Sequence, residues 1–355
     1  MRTLALMIGA SVLATGCNQV GLADSVDLEW NWARLVGPSD ALHTPYAAGT
    51  SFHLYTVNVD EDDREGWTLR SGDASVLRID STADGNADAT ATGAGLTVVS
   101  IHDAAGAPVH EMEIDVRQPT RAELFAHGAM IIDRPEMQEE WDTIYVLEGG
   151  SATFEVRWFD GNERLFGNGT LSTVAEGEIT VEARQTFLFE DREWVTFTPR
   201  AAGSYDVELR ANGELVRTVS VLGVPYEAID TVLLHGMDES AASEGDLLTV
   251  LAQAYGAEGE PIFGVEYSWD LDGEVEEGLG DLFRYGLAPG AFRMLGARAG
   301  SMNAEVMIQA NEGYVDSTNR LGCSVASVGA GSAAALPPIA LGALALLMRI
   351  RSRAR

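Results

Sequence analysis

Two runs of carboxylates are the residues of this chain best suited to chemistry. The first is Asp60-Glu-Asp-Asp63, shortly before Trp67, and the second is Asp270-Leu-Asp-Gly-Glu274. Calcium needs several hard oxygen ligands from one turn, and Asp-x-Asp-Gly is the start of such a turn. Neither run has the full twelve-residue loop spacing, so a solvated acidic loop is the alternative. The candidate calcium ligands are Asp60, Asp62, Asp63, Asp270, Asp272 and Glu274, and no other cofactor is predicted.

No catalytic motif stands out elsewhere. The chain has no Gly-x-Ser-x-Gly elbow, no His-Glu-x-x-His and no phosphate loop. His102 and His110 flank one predicted turn, but without a third ligand solvated positions are favoured over a shared metal. We therefore predict that the protein is not an enzyme. A hydrolase would need a site of carboxylates alone, with a pair about 5–10 Å apart.

The segment from Asp24 to about Asn311 predicts short β-strands, because apolar and polar residues alternate between Gly, Asn, Asp and Pro breaks. Two units recur three times along it, which indicates an internal repeat. The first unit is a glycine that opens a strand, and the second, about fifty residues on, is a hairpin with glycine at its entry and turn. These glycines are Gly49, Gly150 and Gly245 for the strand, Gly95, Gly203 and Gly290 for the entry, and Gly106, Gly213 and Gly300 for the turn. The turn glycines are expected at positive φ.

Three repeats of about a hundred residues predict an all-β chain of three tandem immunoglobulin-like β-sandwiches. They would span residues 24–118, 120–223 and 225–311, with a spacer at 312–321. Short proline-bearing joints at Pro119 and Pro225 favour semi-rigid connections. Trp67, Trp158, Trp194 and Trp269 are the expected core tryptophans.

Two segments resemble known sandwich families. Trp67-Thr-Leu-Arg-Ser-Gly-Asp-Ala-Ser-Val-Leu-Arg-Ile79, followed by Ala94-Gly-Leu-Thr-Val, is similar to the bacterial immunoglobulin-like repeats of adhesins. Tyr267-Ser-Trp-Asp-Leu-Asp-Gly273 resembles the central strand of polycystic-kidney-disease-type domains. Both resemblances imply a fold, and neither identifies a ligand.

The two cysteines, Cys17 and Cys323, bracket this body, which contains none itself. Each falls within a processing signal, so we interpret both as processing sites. A single long-range disulfide between them, or two idle thiols, is the alternative.

The N-terminus has the pattern of a secretory leader. Leu4–Ala14 is an apolar core of eleven residues after Arg2, which suits a signal peptide and is too short for a membrane span. The core ends in Leu13-Ala-Thr-Gly-Cys17, which resembles the bacterial lipoprotein box. That resemblance implies a leader and lipoprotein box over residues 1–17, with a diacylglyceryl group on Cys17 as the first mature residue. Ordinary cleavage after Ala23 is the alternative.

The last 34 residues, 322–355, form a second targeting segment. No charge falls between Arg320 and Arg349, enough chain to cross a hydrocarbon core of ~30 Å as a transmembrane helix. The arginines that follow favour a cytoplasmic end; they are Arg349, Arg351, Arg353 and Arg355. A cysteine motif, a short apolar helix and an arginine cluster resemble the myxobacterial MYXO-CTERM sorting tail. The resemblance implies processing by a sorting protease near Cys323, and the alternative is a retained span.

The net charge of the exported part excludes one class of partner. The chain of 355 residues has a net charge of −31 and contains no lysine. Without Arg2 and the four tail arginines, 18 basic residues remain against 54 acidic ones, a net charge of −36. Such a field repels nucleic acid, so we exclude nucleic-acid partners.

Together these patterns predict a non-enzymatic, envelope-anchored surface lipoprotein with a role in adhesion or envelope architecture. Its expected location is the cell envelope, at the outer membrane or cell surface, held by the N-terminal lipid, the C-terminal helix or both. The alternative is a binding module for a polysaccharide or a secreted protein. The sequence identifies no ligand.

Overall fold

The structure, a computed structural model, describes residues 21–24, 42–132, 137, 141–185, 192–236, 242–243, 247–278, 280–286 and 292–311. Over these residues the chain forms 26 β-strands and one α-helix, α1 (His127–Ile131). The prediction of an all-β chain is therefore confirmed. Among the described residues, no helix combines the length and the apolar character needed to cross a bilayer. The leader, the spacer and the sorting tail lie outside the described residues.

The first sandwich packs two four-stranded sheets around one core. One sheet has the order β1 (Gly21–Asp24), β3 (Ser51–Val57), β6 (Asn86–Ala91), β5 (Leu77–Ala83). The other has the order β2 (Tyr46–Ala47), β8 (Pro108–Arg117), β7 (Gly95–His102), β4 (Thr68–Ser71). Alternate residues of these strands point inward and form an apolar cluster that includes Leu54, Leu77, Ile101 and Ile114.

The second sandwich follows the same plan. One sheet contains β9 (Arg121–Ala126), β11 (Ala152–Asp160), β12 (Glu163–Leu165), β15 (Glu193–Pro199) and β14 (Ile179–Gln185). The facing strands are β13 (Leu171–Ala175), β16 (Gly203–Ala211), β17 (Glu214–Val224) and β10 (Thr143–Leu147). Its core centres on Phe154, Trp158 and Phe197.

The third sandwich has its own core around Trp269, Phe283 and Leu295. One of its sheets contains β21 (Pro261–Phe263), β20 (Leu247–Tyr255), β18 (Thr231–Gly236) and β24 (Leu282–Gly286). The other has the order β19 (Ala242–Ser243), β26 (Met302–Asn311), β25 (Phe292–Ala299), β22 (Ser268–Leu271), β23 (Glu274–Glu276).

The repeated hairpins have the predicted turn chemistry. Gly106, Gly213 and Gly300 have φ values of 84°, 82° and 55°, a region that side chains resist. Each turn joins two long antiparallel strands, β7 to β8, β16 to β17 and β25 to β26. The prediction of positive φ at these glycines is confirmed.

Two of the four expected core tryptophans are fully buried. Trp158 and Trp269 are each 1% exposed and lie in the second and third cores. Trp67 is half-buried at the margin of the first core, since it lies in the loop before β4. Trp194 is half-buried too, because the inward residues of β15 are its neighbours on either side, Glu193 and Val195. The prediction was wrong in placing Trp67 and Trp194 in the core.

Backbone hydrogen bonds cross the first joint. The Phe166 amide donates to the Pro45 carbonyl over 3.0 Å, and the Ala47 amide donates to Phe166 over 2.9 Å. The Ser51 amide donates to the Asn168 carbonyl over 2.7 Å. The first sandwich is therefore bonded directly to the loop that follows β12 of the second.

The second joint is a continuous sheet. Strand β10 pairs in parallel with β17 of its own sandwich, Thr143–Leu147 against Ser220–Val224. Its other edge pairs in parallel with β21 of the third sandwich, Tyr145 with Ile262 and Val146 with Phe263. The three cores are separate clusters, although all the described residues belong to one compact unit. The domain boundaries near residues 118 and 224 stay predictions.

Candidate functional site

The first acidic run forms a tight turn at one end of the first sandwich. Residues Glu61–Arg64 are one turn of 3₁₀-helix, and the Asp63 amide donates to the Asp60 carbonyl over 3.0 Å. Asp60, Asp62 and Asp63 are all exposed. Arg64 is turned away from them, since its Nη1 atom donates to the Thr56 carbonyl over 2.8 Å. The three carboxylates therefore remain solvated.

The second acidic run is a hairpin turn between β22 and β23. Asp272 and Gly273 have φ values of 55° and 82°, as a two-residue turn of type I′ requires. The Asp272 carboxylate accepts a hydrogen bond from the Met294 amide over 2.8 Å and lies 2.9 Å from Nη1 of Arg293. The Asp-Gly pair is thus explained by the turn, and this carboxylate already has two donors.

Calcium binding at these runs stays a prediction. No group of three or more His, Cys, Asp or Glu side chains in the described part of the chain is arranged to hold a metal ion. Binding at the second run would have to compete with the pair between Asp272 and Arg293. If calcium binds, the melting temperature should rise on adding calcium and fall with chelator, because the ion relieves repulsion between carboxylates. The difference should vanish in the double variant Asp270→Asn, Asp272→Asn; identical melts of the parent would contradict the prediction.

His102 and His110 lie on the two strands of the first repeated hairpin. The Nδ1 atom of His102 lies 3.1 Å from the Gly106 carbonyl, and its Nε2 atom lies 2.9 Å from Oγ of Ser100. Each ring nitrogen of His102 is thus within hydrogen-bonding distance of a group in its own hairpin. His110 stands opposite Ile101 on β8.

A cavity of about 310 Å³ lies at the second joint. Its volume is at the lower end of the range typical of small-molecule sites. Polar residues of both sandwiches line it together with apolar ones. The second sandwich contributes His127, Gly128 and Ser151, and the third contributes Gln253, Glu266 and Asp281.

The most perturbed acid in this cavity is Asp281, directly before β24. Burial raises the pKa of Asp281 to about 6, and a hydrogen bond from its own backbone amide opposes the rise. Within the described residues Asp281 forms no ion pair. Desolvation by neighbouring residues lowers the pKa of His127, although the residue is still exposed to solvent, and the charge of Arg284 lowers the pKa further. The pKa of each group is therefore shifted towards the neutral form, but Asp281 is still mainly ionised at pH 7.5.

We predict that Asp281→Asn stabilises the chain at neutral pH. The pKa of Asp281 is about 6 when folded and near 3.8 when unfolded, so its ionised form destabilises the fold. The penalty is absent below about pH 4, grows as the pH rises to 6, and reaches about 2–3 kcal/mol above that. Denaturation at pH 7.5 and at pH 4 should show the gain only at pH 7.5. Glu266→Gln, at the exposed rim of the same cavity, is the control, and an equal gain at both pH values would contradict the assignment.

A second buried acid, Glu193, accepts hydrogen bonds inside the second sandwich. Glu193 is 2% exposed and accepts hydrogen bonds from the indole N–H of Trp158 and from the amides of Gly169 and Leu171. Burial raises the pKa of Glu193, and these donors oppose the rise. The side chain thereby ties the loop before β13 to the core tryptophan. Sequence reasoning missed this residue, although the alternation with Val195 and Phe197 places Glu193 on the inward face of β15.

On the sheet that contains β11 and β15, the face away from the core carries two arginines that bind one buried glutamate. Glu155, also 2% exposed, is bound by Arg157 over 2.8 and 3.1 Å and by Arg192 over 3.3 Å. The Arg157 guanidinium lies 4.1 Å from the ring centre of Phe125, within the range of a cation–π contact. The carboxylate of Glu155 has its hydrogen-bonding partners in these arginines, so we infer that the group stabilises the sheet.

The predicted targeting residues cannot be placed. Cys17 and Cys323 lie outside the described residues, as do Arg349, Arg351, Arg353 and Arg355. Lipidation and sorting at these positions therefore stay predictions.

Comparison with known proteins identifies no family. No family model matches the chain, and no curated protein does. Among solved structures, domains 4–9 of the surface layer protein SbsC match at 14% identity and a TM-score of 0.33, over 83% of this chain and 48% of that one. The Escherichia coli adhesin FdeC matches at 13% identity and a TM-score of 0.25, over 75% of this chain and 94% of that one. The integrin-binding protein invasin matches at 12% identity and a TM-score of 0.21, over 75% of this chain and 58% of that one.

This chain spans about half the length of the SbsC fragment that it matches. Because all three TM-scores are below 0.5, we conclude nothing about binding or assembly from these likenesses.

Proposed function

We propose that this chain is a non-enzymatic protein of the cell envelope whose three sandwiches act in adhesion or envelope architecture. They would be held at the membrane by a lipid on Cys17, by the C-terminal helix, or by both, and would face the outside of the cell. A sorting protease would act near Cys323.

The observation that carries this proposal is the construction of the second joint. Strand β10 is hydrogen-bonded along both edges, to β17 of one sandwich and to β21 of the next. At the same joint the Trp141 ring packs edge-on against Phe154 and Phe263, with ring centres 5.6 and 5.3 Å apart. A joint of this kind resists bending, because a change of angle would break backbone hydrogen bonds and separate packed rings. A protein that holds a surface at a fixed place outside a cell needs that property.

Glycines allow this close approach. A Cβ atom on Gly150 would lie 2.1 Å from the carbonyl oxygen of Gly264, so any side chain there would push the two sandwiches apart. We therefore expect the Gly150→Val variant to open the joint, although it replaces no residue of the apolar cores.

The test uses cells that produce the full chain, cells that lack it, and cells that produce Gly150→Val. An antibody against the third sandwich should bind intact producing cells. Loss of the chain should reduce attachment to a surface or increase leakage of envelope proteins. Gly150→Val should reach the surface in similar amounts and still fail in the same assay, and Ser151→Ala, an exposed neighbour, should behave like the parent. Antibody binding to permeabilised cells alone, or normal attachment and normal retention without the chain, would refute the proposal.

A second candidate is favoured by the cavity at the joint. Its volume of about 310 Å³ and its lining by Asp281, Gln253 and Ser151 are compatible with a sugar unit of a polysaccharide or a side chain of a secreted protein. In that case Asp281→Asn should abolish binding of the partner and leave surface display unchanged.

A further inference from the structure

The N-terminal strand β1 is an integral part of the first sandwich. All four of its residues pair antiparallel with β3, from Gly21 opposite Val57 to Asp24 opposite Leu54. Leu22 is 2% exposed and Ala23 is 0% exposed. Leu22 belongs to the same apolar cluster as Leu54. The sandwich therefore needs these residues in the folded protein.

This pairing bears on the two cleavage sites that the sequence leaves open. Cleavage after Ala23 would remove three of the four residues of β1, including both buried side chains. It would leave a cavity in the core and expose the backbone edge of β3. Cleavage before Cys17 keeps the whole strand.

We propose that β1 is the first strand of the mature protein and that a lipid on Cys17 holds the first sandwich directly on a bilayer surface through a three-residue tether. The inference rests on the lipid anchor of the proposed function. The Cys17 sulfur would form a thioether bond to the glyceryl carbon of a phosphoglycerolipid. The carbon–oxygen bond to phosphate breaks, and the phosphate-bearing headgroup leaves with the thiol proton. Water then hydrolyses the Gly16–Cys17 peptide bond to a carboxylate and an amine.

The length of the tether follows from covalent geometry. Only residues 18–20 separate Cys17 from β1. Four Cα-to-Cα steps reach about 14 Å at full extension. The start of β1 thus stays within about 14 Å of the lipidated residue, too short for the sandwich to move freely away from the surface.

The end of the sandwich that faces the bilayer follows from the register. Gly21 lies opposite Val57, at the end of β3 from which the chain continues into the turn Glu61–Arg64. The other end of β3 begins at Ser51, whose amide is bonded to Asn168 across the first joint. The tether and the joint are therefore at opposite ends of the first sandwich, and the second sandwich is attached at the end away from the membrane.

The experiment has two arms on the full chain purified from producing cells. In the first, mass spectrometry of the mature N-terminus should find lipidated Cys17 in the parent and no lipid in Cys17→Ser. A mature N-terminus at Asp24 would overturn the inference.

The second arm measures the distance from the membrane. The chain has no lysine, so Asp62→Lys and Ser301→Lys each introduce one side-chain amine for a dye, and the parent gives the background. In phosphatidylcholine vesicles with an acceptor dye on the headgroups, energy transfer from position 62 should exceed transfer from position 301 at least twofold. Inserting twenty Gly/Ser residues between Asn18 and Gln19, which adds about 25 Å of reach, should remove that excess. The same insertion after Gly106, an exposed turn, should preserve it.

The outcomes separate the two proposals. If Cys17 carries no lipid, the lipid anchor and the inference that rests on it are both wrong, and only the C-terminal helix remains as the anchor of the proposed function. If Cys17 is lipidated but transfer is equal from both positions, or the tether insertion has no effect, the anchor stands and the inference about the first sandwich is wrong.

Discussion

The Glu193→Ala variant should unfold with a free energy about 3–5 kcal/mol lower than that of the parent. The substitution leaves the Trp158 indole N–H and the amides of Gly169 and Leu171 without their common acceptor. The indole lies in the core of the second sandwich, where water cannot readily replace the lost partner. Removing one member of a buried polar group costs this much because the remaining donors keep their desolvation penalty. Urea denaturation followed by tryptophan fluorescence would measure the loss.

The matched control is Glu182→Ala on the neighbouring strand β14. Glu182 is exposed and paired with Arg184, so its removal should change stability by no more than about 0.5 kcal/mol. Glu193→Gln should fall between the two, because an amide keeps one acceptor oxygen and turns its NH₂ group towards donors. Equal stability of the two alanine variants would show that the hydrogen bonds to Glu193 do not stabilise the fold.

Trp269→Ala should destabilise the third sandwich by about 3–5 kcal/mol. The indole is 1% exposed and stacks on Phe283 with ring centres 5.3 Å apart. Its N–H donates to the Gly280 carbonyl over 3.1 Å. The change therefore creates a cavity, removes an aromatic contact and leaves a carbonyl without its donor. Thermal unfolding by calorimetry would record it.

Trp67→Ala is the comparison for this effect. Trp67 is half-buried at the margin of the first core, so the loss should be about 1–2 kcal/mol, in proportion to the area removed from water. The prediction would be contradicted if Trp269→Ala melted at the same temperature as the parent, or if it lost no more stability than Trp67→Ala. Either result would mean that Trp269 is not buried as described.

How far the sequence predicted the structure depends on how local each signal was. The turns at Gly106, Gly213 and Gly300 were predictable because positive φ is a property of single residues. The Asp272–Gly273 pair carries two signals, because Asp-x-Asp-Gly fits the start of a calcium loop and Asp-Gly also fits a tight turn. An Asp-Gly pair between two alternating segments fits a hairpin at least as well.

Features that depend on residues distant in sequence could not be predicted. Strand β10 has only five residues, and nothing in them indicates that both edges are paired. The alternation with Val195 and Phe197 could have placed Glu193 inward, but only the fold shows the donors that surround it. Likewise, only the fold shows that Asp281 faces a cavity. The cavity itself is built from five separate stretches of the chain, so no single motif indicates it.

The two-sided pairing of β10 also governs how the sandwiches resist aggregation. An unpaired strand at the margin of a sheet offers its free amides and carbonyls to other molecules. In the second sandwich alone β10 would be an edge strand, and in the third sandwich alone β21 would be one. In the whole chain the two strands are hydrogen-bonded to each other, so neither has a free edge at this joint. Separating the two sandwiches would uncover both strands at once. The second sandwich made alone should therefore self-associate through β10, and the pair should stay monomeric at the same concentration.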